Sequence, residues 1–160
     1  TKLKMISILS IAAGISGMTG GQALDLAASG VATDLSNLET IHRLKTGALI
    51  KASVCLGALC NEKITDNQMQ ALELYAENIG LAFQVQDDIL DEISDTKTLG
   101  KPQGSDRAQS KSTYVSLLGL EAAKNKATEL TEKAIQSLGG FSSSANNLRD
   151  IATYIVSRIH

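Results

Sequence analysis

The stretch Phe83-Gln84-Val85-Gln86-Asp87-Asp88-Ile89-Leu90-Asp91 puts Gln84, Asp87, Asp88 and Asp91 at i, i+3, i+4 and i+7. If the segment is helical, these four side chains share one face. Three carboxylates there repel one another by about a few tenths of a kcal/mol per pair, and the flanking sequence is otherwise apolar. A divalent cation is the simplest candidate to offset the repulsion. Carboxylates are hard oxygen ligands of the kind Mg²⁺ prefers, and that ion keeps several waters and commonly bridges to substrate phosphates. No histidine adjoins the aspartates, which argues against zinc or copper. Downstream, Lys101 and Lys111 are compact point charges suited to meet the same phosphate oxygens. A second basic site is His42-Arg43-Leu44-Lys45-Thr46, where Lys45 and Thr46 interrupt a helix and Gly47 and Ala48 leave room for close approach.

Each feature alone has a plainer reading. An acidic helix end is commonly a solvated face, Lys-Thr-Gly inside a helix is commonly structural, and a long polar loop can be plain disorder. His42 reads as a surface or packing histidine, because no carboxylate partner is visible in the sequence. The combination and order of these elements carry the argument.

The elements that must position them are helical. The 160 residues include one proline, Pro102, no tryptophan and only 3% aromatics, and 43% are hydrophobic. This balance favours an all-α domain. A formal charge of −2 leaves no overall basic footprint for nucleic acid. Cys55 and Cys60, five apart, point to different helix faces and read as free thiols of a reducing, cytoplasmic setting rather than a disulfide or metal pair.

Lys2 and Lys4 before the apolar run 5–15 mimic a secretory leader, but Ser7 and Ser10 interrupt the run while Ile6, Leu9 and Ala13 keep helical spacing. No segment is expected to supply the roughly 20 apolar residues of a membrane span. The chain opens on Thr1 rather than Met, so a fragment or processed piece is expected.

The periodicity predicts helices over residues 3–16, stopped by Gly17, Gly20 and Gly21, and over 22–29, closed by Gly30. A third, capped by Thr33 or Asp34, runs to about Cys60. A long helix capped by Thr65-Asp66 reaches about Ile93, with apolar residues on most sides over 79–90, so that it needs helices from both directions to cover it. The later helices alone are expected to leave part of that surface bare and the piece prone to self-association. Residues 94–113 hold one large apolar residue, Leu99, and four basic residues (Lys97, Lys101, Arg107, Lys111) against Asp95 and Asp106. Loops this long inside a compact domain are often functional lids. Two more helices follow at about 113–138 and 144–158.

Gly20-Gly21-Gln22-Ala23-Leu24-Asp25-Leu26, His42-Arg43-Leu44-Lys45-Thr46-Gly47-Ala48-Leu49-Ile50 and Gly80-Leu81-Ala82-Phe83-Gln84-Val85-Gln86-Asp87-Asp88-Ile89-Leu90-Asp91 together resemble the trans-isoprenyl diphosphate synthases, most closely the bacterial farnesyl (geranyl) diphosphate synthases. Asp95-Thr96, Thr98-Leu99-Gly100-Lys101 and Lys111-Ser112-Thr113-Tyr114 continue the resemblance, which spans essentially the whole chain. It implies an all-α fold made of the C-terminal helices of the isoprenoid (terpenoid) synthase bundle, with residues 1–160 forming the C-terminal part of one polyprenyl synthetase domain.

It further implies that Asp87, Asp88 and Asp91 form the family's second aspartate-rich motif, binding Mg²⁺ that bridges to an allylic diphosphate. Lys45, Lys101 and Lys111 match its diphosphate-binding lysines. Thr46 and Gln84 match polar residues lining the place where the allylic cation forms. Related terpene cyclases carry Ser or Thr where this chain has Asp91 and Glu where it has Asp95, so condensation with isopentenyl diphosphate is the implied reaction. A homodimer is the family's assembly. The family's first aspartate-rich motif and its basic residues for isopentenyl diphosphate have no counterpart here, and Val115 stands where the family often has proline. The implied parent is a Mg²⁺-dependent short-chain prenyl transferase, with these residues alone inactive. A non-catalytic subunit of a heteromeric synthase and a purely structural helical module are the alternatives. Retention of all three aspartates speaks against the first, and diphosphate-dependent Mg²⁺ binding would exclude the second.

Overall fold

The computed structural model describes residues 1–93 and 111–158. Most of the 94–113 loop, with Lys97, Lys101, Asp95, Leu99 and Arg107, therefore lies outside the described residues. The described residues form helices joined by short turns: α1 (Lys2–Ala13), α2 (Met18–Ala28), α3 (Leu35–His42), a π turn (Arg43–Gly47), α4 (Ala48–Leu59), α5 (Asp66–Ile93), α6 (Tyr114–Leu118), α7 (Leu120–Ser137), two 3₁₀ turns (Leu138–Gly140 and Ser143–Ala145) and α8 (Asn146–Ser157). The all-α expectation holds for these residues.

Local chemistry sets most boundaries. The Asp34 carboxylate accepts the Asn37 N–H (2.8 Å) at the start of α3. At the start of α5 the Thr65 hydroxyl accepts from the Gln68 N–H and the Gln68 side chain accepts from the Thr65 N–H, which satisfies two orphan donors at once. Two boundaries differ from the sequence reading. Gly20 and Gly21 do not stop a helix; they lie inside α2 and are buried. The helix expected over 113–138 is broken at Gly119, whose φ of +85° is outside helical space and favours glycine.

The core is the packing of α5 on α7. Tyr75, Ala76, Ile79, Ala82, Val85 and Ile89 meet Ala123, Ala127, Leu130 and Ala134, all buried. Ala123, Ala127 and Ala134, with Leu130 between them at helical spacing, let the two helices approach closely. The Tyr75 hydroxyl donates to the Leu148 carbonyl (2.7 Å), fastening α8 to the same core. The Arg149 guanidinium donates to the carbonyls of Leu138 and Phe141 at 2.8 and 2.9 Å, closing the turn before α8.

Two sequence expectations need correction. The 79–90 surface is not left bare: Ile79, Leu81, Ala82, Val85, Ile89 and Leu90 are at most 5% exposed, covered by helices of this chain. The exposed apolar face lies instead on α1 and after it, at Leu3, Ile6, Ile11, Ile15 and Leu26. The same stretch, Lys2–Ala28, is apolar enough by length and composition to cross a membrane. Its backbone leaves helical geometry at Gly14, so it forms two separate helices of 12 and 11 residues. Neither reaches the roughly 30 Å of a hydrocarbon core.

Replacing Tyr75 with Phe removes its side-chain hydrogen bond from α5 to the Leu148 carbonyl of α8. A loss of about 0.5–1.5 kcal/mol is expected. Denaturant unfolding of Tyr75→Phe beside the wild type checks this, with a lowered midpoint and an unchanged slope.

Candidate functional site

The last two turns of α5 face a cleft of about 270 Å³. Gln84, Asp87 and Asp88 line it from α5, Asp25 from α2, His42 and Lys45 from the α3–π segment, and Lys111 from the strand of chain entering α6. Asp91, 4% exposed, does not line it. It faces a second cleft of about 370 Å³, into which Asp88 and Lys111 also reach. The expectation of one charged face is met in register only. Asp87 looks into one cleft, Asp91 into the other, and Asp88 borders both.

Helix packing explains why Lys45 stands where it does. The π turn lifts Lys45 out of the regular α register, as the interruption read from sequence required. A Cβ on Gly21 would come within 2.2 Å of the Lys45 backbone nitrogen, so α2 can lie directly against this turn only with glycine there. On the far side, Gly80 of α5 approaches the Gly47 Cα closely enough that an added Cβ would sit 3.2 Å from it. Two glycine contacts therefore clamp the turn between α2 and α5. Thr46, in the same turn and half-buried, is not brought into either cleft.

The polar groups form three connected sets. His42 Nδ1 donates to Gln84 Oε1 (2.7 Å), which fixes the amide so that its Nε2 donates to Asp87 Oδ2 (3.3 Å). His42 also stacks on Tyr114, with ring centroids 5.6 Å apart. It is thus a packing histidine, as read from sequence, but one that orients Gln84. Asp88 Oδ2 accepts the Tyr114 N–H (2.7 Å). Burial, with the negative charges of Glu39 and Asp88 adding to it, drives the Tyr114 phenol far above its usual range and keeps it neutral.

Asp25 Oδ2 accepts from both Lys45 (2.7 Å) and Lys111 (3.4 Å). Burial works to raise the Asp25 pKa, but the hydrogen bond and charge of Lys45, then those of Lys111, outweigh it and hold the carboxyl below its ordinary 3.8. Arg158, past the end of α8, pairs with Asp87, donates to the Phe83 carbonyl (3.2 Å) and lies 4.2 Å over the Phe83 ring. Arg158 was not picked out from sequence: it stands alone 71 residues from Asp87, with no motif around it. Asp25 was visible only inside the Gly20–Leu26 motif, with no role attached.

No group of three or more carboxylates, histidines or cysteines among the described residues converges as a ready-made metal cage. The donor set nonetheless suits Mg²⁺. Asp87, with 42% of its side chain exposed, and Asp88 present hard oxygens to the cleft. That ion is typically held by one or two carboxylates, its remaining positions going to water and substrate phosphate.

Residues 1–151 match the family model described as polyprenyl synthetase. The chain belongs to this family. It is 52% identical over 160 residues to a farnesyl diphosphate synthase of Escherichia coli K12, covering 98% of this chain and 54% of that protein. Among solved structures, an FPP/GFPP synthase from Zymomonas mobilis superposes with a TM-score of 0.81 at 41% identity, over 97% of this chain and 50% of the other. A geranyltransferase from Helicobacter pylori, complexed with magnesium and isoprenyl diphosphate, gives 0.78 at 34% identity, over 96% and 50%. The polyprenyl synthetase chain described here thus spans about half the length of the relatives it matches.

The depressed Asp25 pKa fixes a pH dependence. A carboxyl whose folded pKa is lowered contributes stability above the unfolded value of about 3.8 and loses it as pH falls through the folded value. The stability difference between wild type and Asp25→Asn is therefore expected to be flat at neutral pH and to shrink below pH 3.8. Unfolding curves at pH 7, 4 and 3 check this; a gap that widens on acidification contradicts the ion pairing.

Proposed function

We propose that this polyprenyl synthetase chain is the C-terminal part of the catalytic domain of a prenyl transferase that joins an allylic diphosphate to isopentenyl diphosphate. The supporting observation is the facing of Asp87 and Asp88 against Lys45 and Lys111 across one cleft. Acidic and basic groups opposed in this way suit a metal-bridged diphosphate. The 52% identical farnesyl diphosphate synthase supports a short-chain product, and the magnesium and isoprenyl diphosphate in the H. pylori geranyltransferase structure support that ion as the cofactor.

In this reading Asp87 and Asp88, with Asp91 behind them, hold Mg²⁺. Bound there, the ion supplies charge neutralisation for the departing diphosphate. Lys45 and Lys111, joined by Lys101, hold the diphosphate oxygens and stabilise the negative charge that grows on them as the carbon–oxygen bond breaks. The Gln84 amide, aligned by His42, lines the part of the cleft where the allylic cation forms. Leu38, Ile41 and Leu90 keep the inner wall apolar, which limits water access to a cation that water would quench. The double bond of isopentenyl diphosphate attacks that cation, and loss of a proton completes the head-to-tail product.

The exposed apolar residues of α1 and α2 support a parent that buries this face against further chain and assembles as a homodimer. Free Cys55 and Cys60 are in keeping with a cytoplasmic site.

Two substitutions in the full-length protein test the reading by steady-state prenyl transfer with geranyl and isopentenyl diphosphates. Asp87→Ala is expected to cut turnover by about two to four orders of magnitude. Its fold should survive, since the pair it forms with Arg158 is partly exposed and such pairs contribute about 0–1 kcal/mol; near-normal turnover refutes the metal role. Lys111→Ala is expected to cost roughly 10- to 150-fold in kcat/KM, the weight of one charge-assisted contact of about 1.5–3 kcal/mol. Lys124→Ala, on the exposed face of α7 and paired with Glu121, is expected to change nothing measurable.

A further inference from the structure

Asp25 is the one described carboxylate that pairs with both Lys45 and Lys111. The lysines come from segments 66 residues apart in sequence, yet their ammonium nitrogens meet a single oxygen, Asp25 Oδ2. They are separated by no more than the sum of 2.7 and 3.4 Å. Two like charges that close repel unless an anion stands between them. Asp25 also lies deeper than either: its side chain is 20% exposed, against 33% for Lys45 and 30% for Lys111.

The backbone that carries Asp25 is fixed with little freedom. Gly21, one helical turn before it and on the same face of α2, packs against the Lys45 backbone. The Ser29 hydroxyl, one turn after it, donates to the Asp25 carbonyl (3.1 Å). A carboxylate on a clamped helix, behind two flexible lysines, acts as a fixed anchor for their mobile ends. Each ammonium has three N–H donors, so one spent on Asp25 leaves two to point into the cleft.

We propose that Asp25 is a positioning residue: it holds the Lys45 and Lys111 ammonium groups converged on the diphosphate before substrate arrives and keeps them aligned as the leaving group departs. This rests on the prenyl-transfer reading above. In this role Asp25 acts through the two lysines and not on the substrate itself. Its charge opposes ground-state binding of a diphosphate, because it partly neutralises the two lysines, and its benefit is realised only where the ammonium groups must stay placed against growing charge. The expected signature is therefore a split between binding and turnover, which a purely structural residue would not give.

The test uses the full-length protein carrying Asp25→Asn and Asp25→Glu. Calorimetry with inorganic diphosphate and Mg²⁺ reads ground-state binding, and prenyl transfer reads kcat. Asp25→Asn is expected to bind diphosphate as tightly as wild type or up to tenfold tighter, while kcat falls ten- to a hundredfold. Asp25→Glu restores the charge and is expected to recover most of the kcat loss and the wild-type affinity. An Asn variant with unchanged kcat overturns the inference. So do Asn and Glu variants that lose binding, turnover and melting temperature together, which is the mark of a structural residue. If Asn does not fold, Glu decides: wild-type affinity with kcat within threefold of wild type upholds the anchor, and a parallel loss of both overturns it. A wild-type protein that binds diphosphate but transfers no prenyl group overturns the functional reading itself, and is distinguished from these outcomes because it needs no variant.

Discussion

Carboxylates on the last turns of a buried helix impose a constraint that organises everything around them. Burying a charge is costly unless it is paired or hydrogen-bonded, and α5 carries Asp88 and Asp91 at 8% and 4% exposure. The surrounding elements answer that demand one group at a time. Tyr114 delivers a backbone N–H to Asp88, Gln84 and Arg158 reach Asp87, and Lys111 stands beside the clefts into which all of them open. Apart from Gln84, on α5 itself, these partners follow α5 in the chain, so the acidic turns act as the point to which the chain returns from the entry to α6 and from the end of α8.

The same constraint sets where the apolar packing can be. Alanines along α7 let it approach α5 closely over residues 75–89, and the last turn of this seam already carries the first carboxylates, Asp87 and Asp88. Beyond that point the neighbours of α5 change from a close-packed helix to a turn, a loop entry and a chain end. Those irregular pieces have free donors to offer, whereas a regular helix has already spent its own internally. A polar site at the end of a packed helix is a consequence of that difference.

Periodicity and caps made the helical order legible in the sequence. The long α5 with its cap at Thr65, the interruption at Lys45 and Thr46, and the apolar character of residues 79–90 on most sides all follow from local patterns. Misreadings came from contacts that no local pattern encodes. Gly20 and Gly21 look like helix stops because glycine is a poor helix former, yet close approach to another segment outweighs that preference. Gly119 was read through because apolar spacing continues across it. Within the site, the aspartates and lysines were legible as residue types. Their division between two clefts, the Asp25 anchor and the arrival of Arg158 depend on how distant segments fold back.

The π turn of residues 43–47 has a consequence for how such a protein can vary. One extra residue in a helix advances every later side chain by about 100° around the axis. Before the turn, His42 looks toward α5 and the clefts; after it, Ala52 and Cys55 look into the bundle. The insertion lets a single rod of chain serve a polar cavity along one part and an apolar seam along the next, without a loop between them. It decouples the two halves of the rod: residues of α4 can drift under the rules of core packing while those around Lys45 answer only to the cavity.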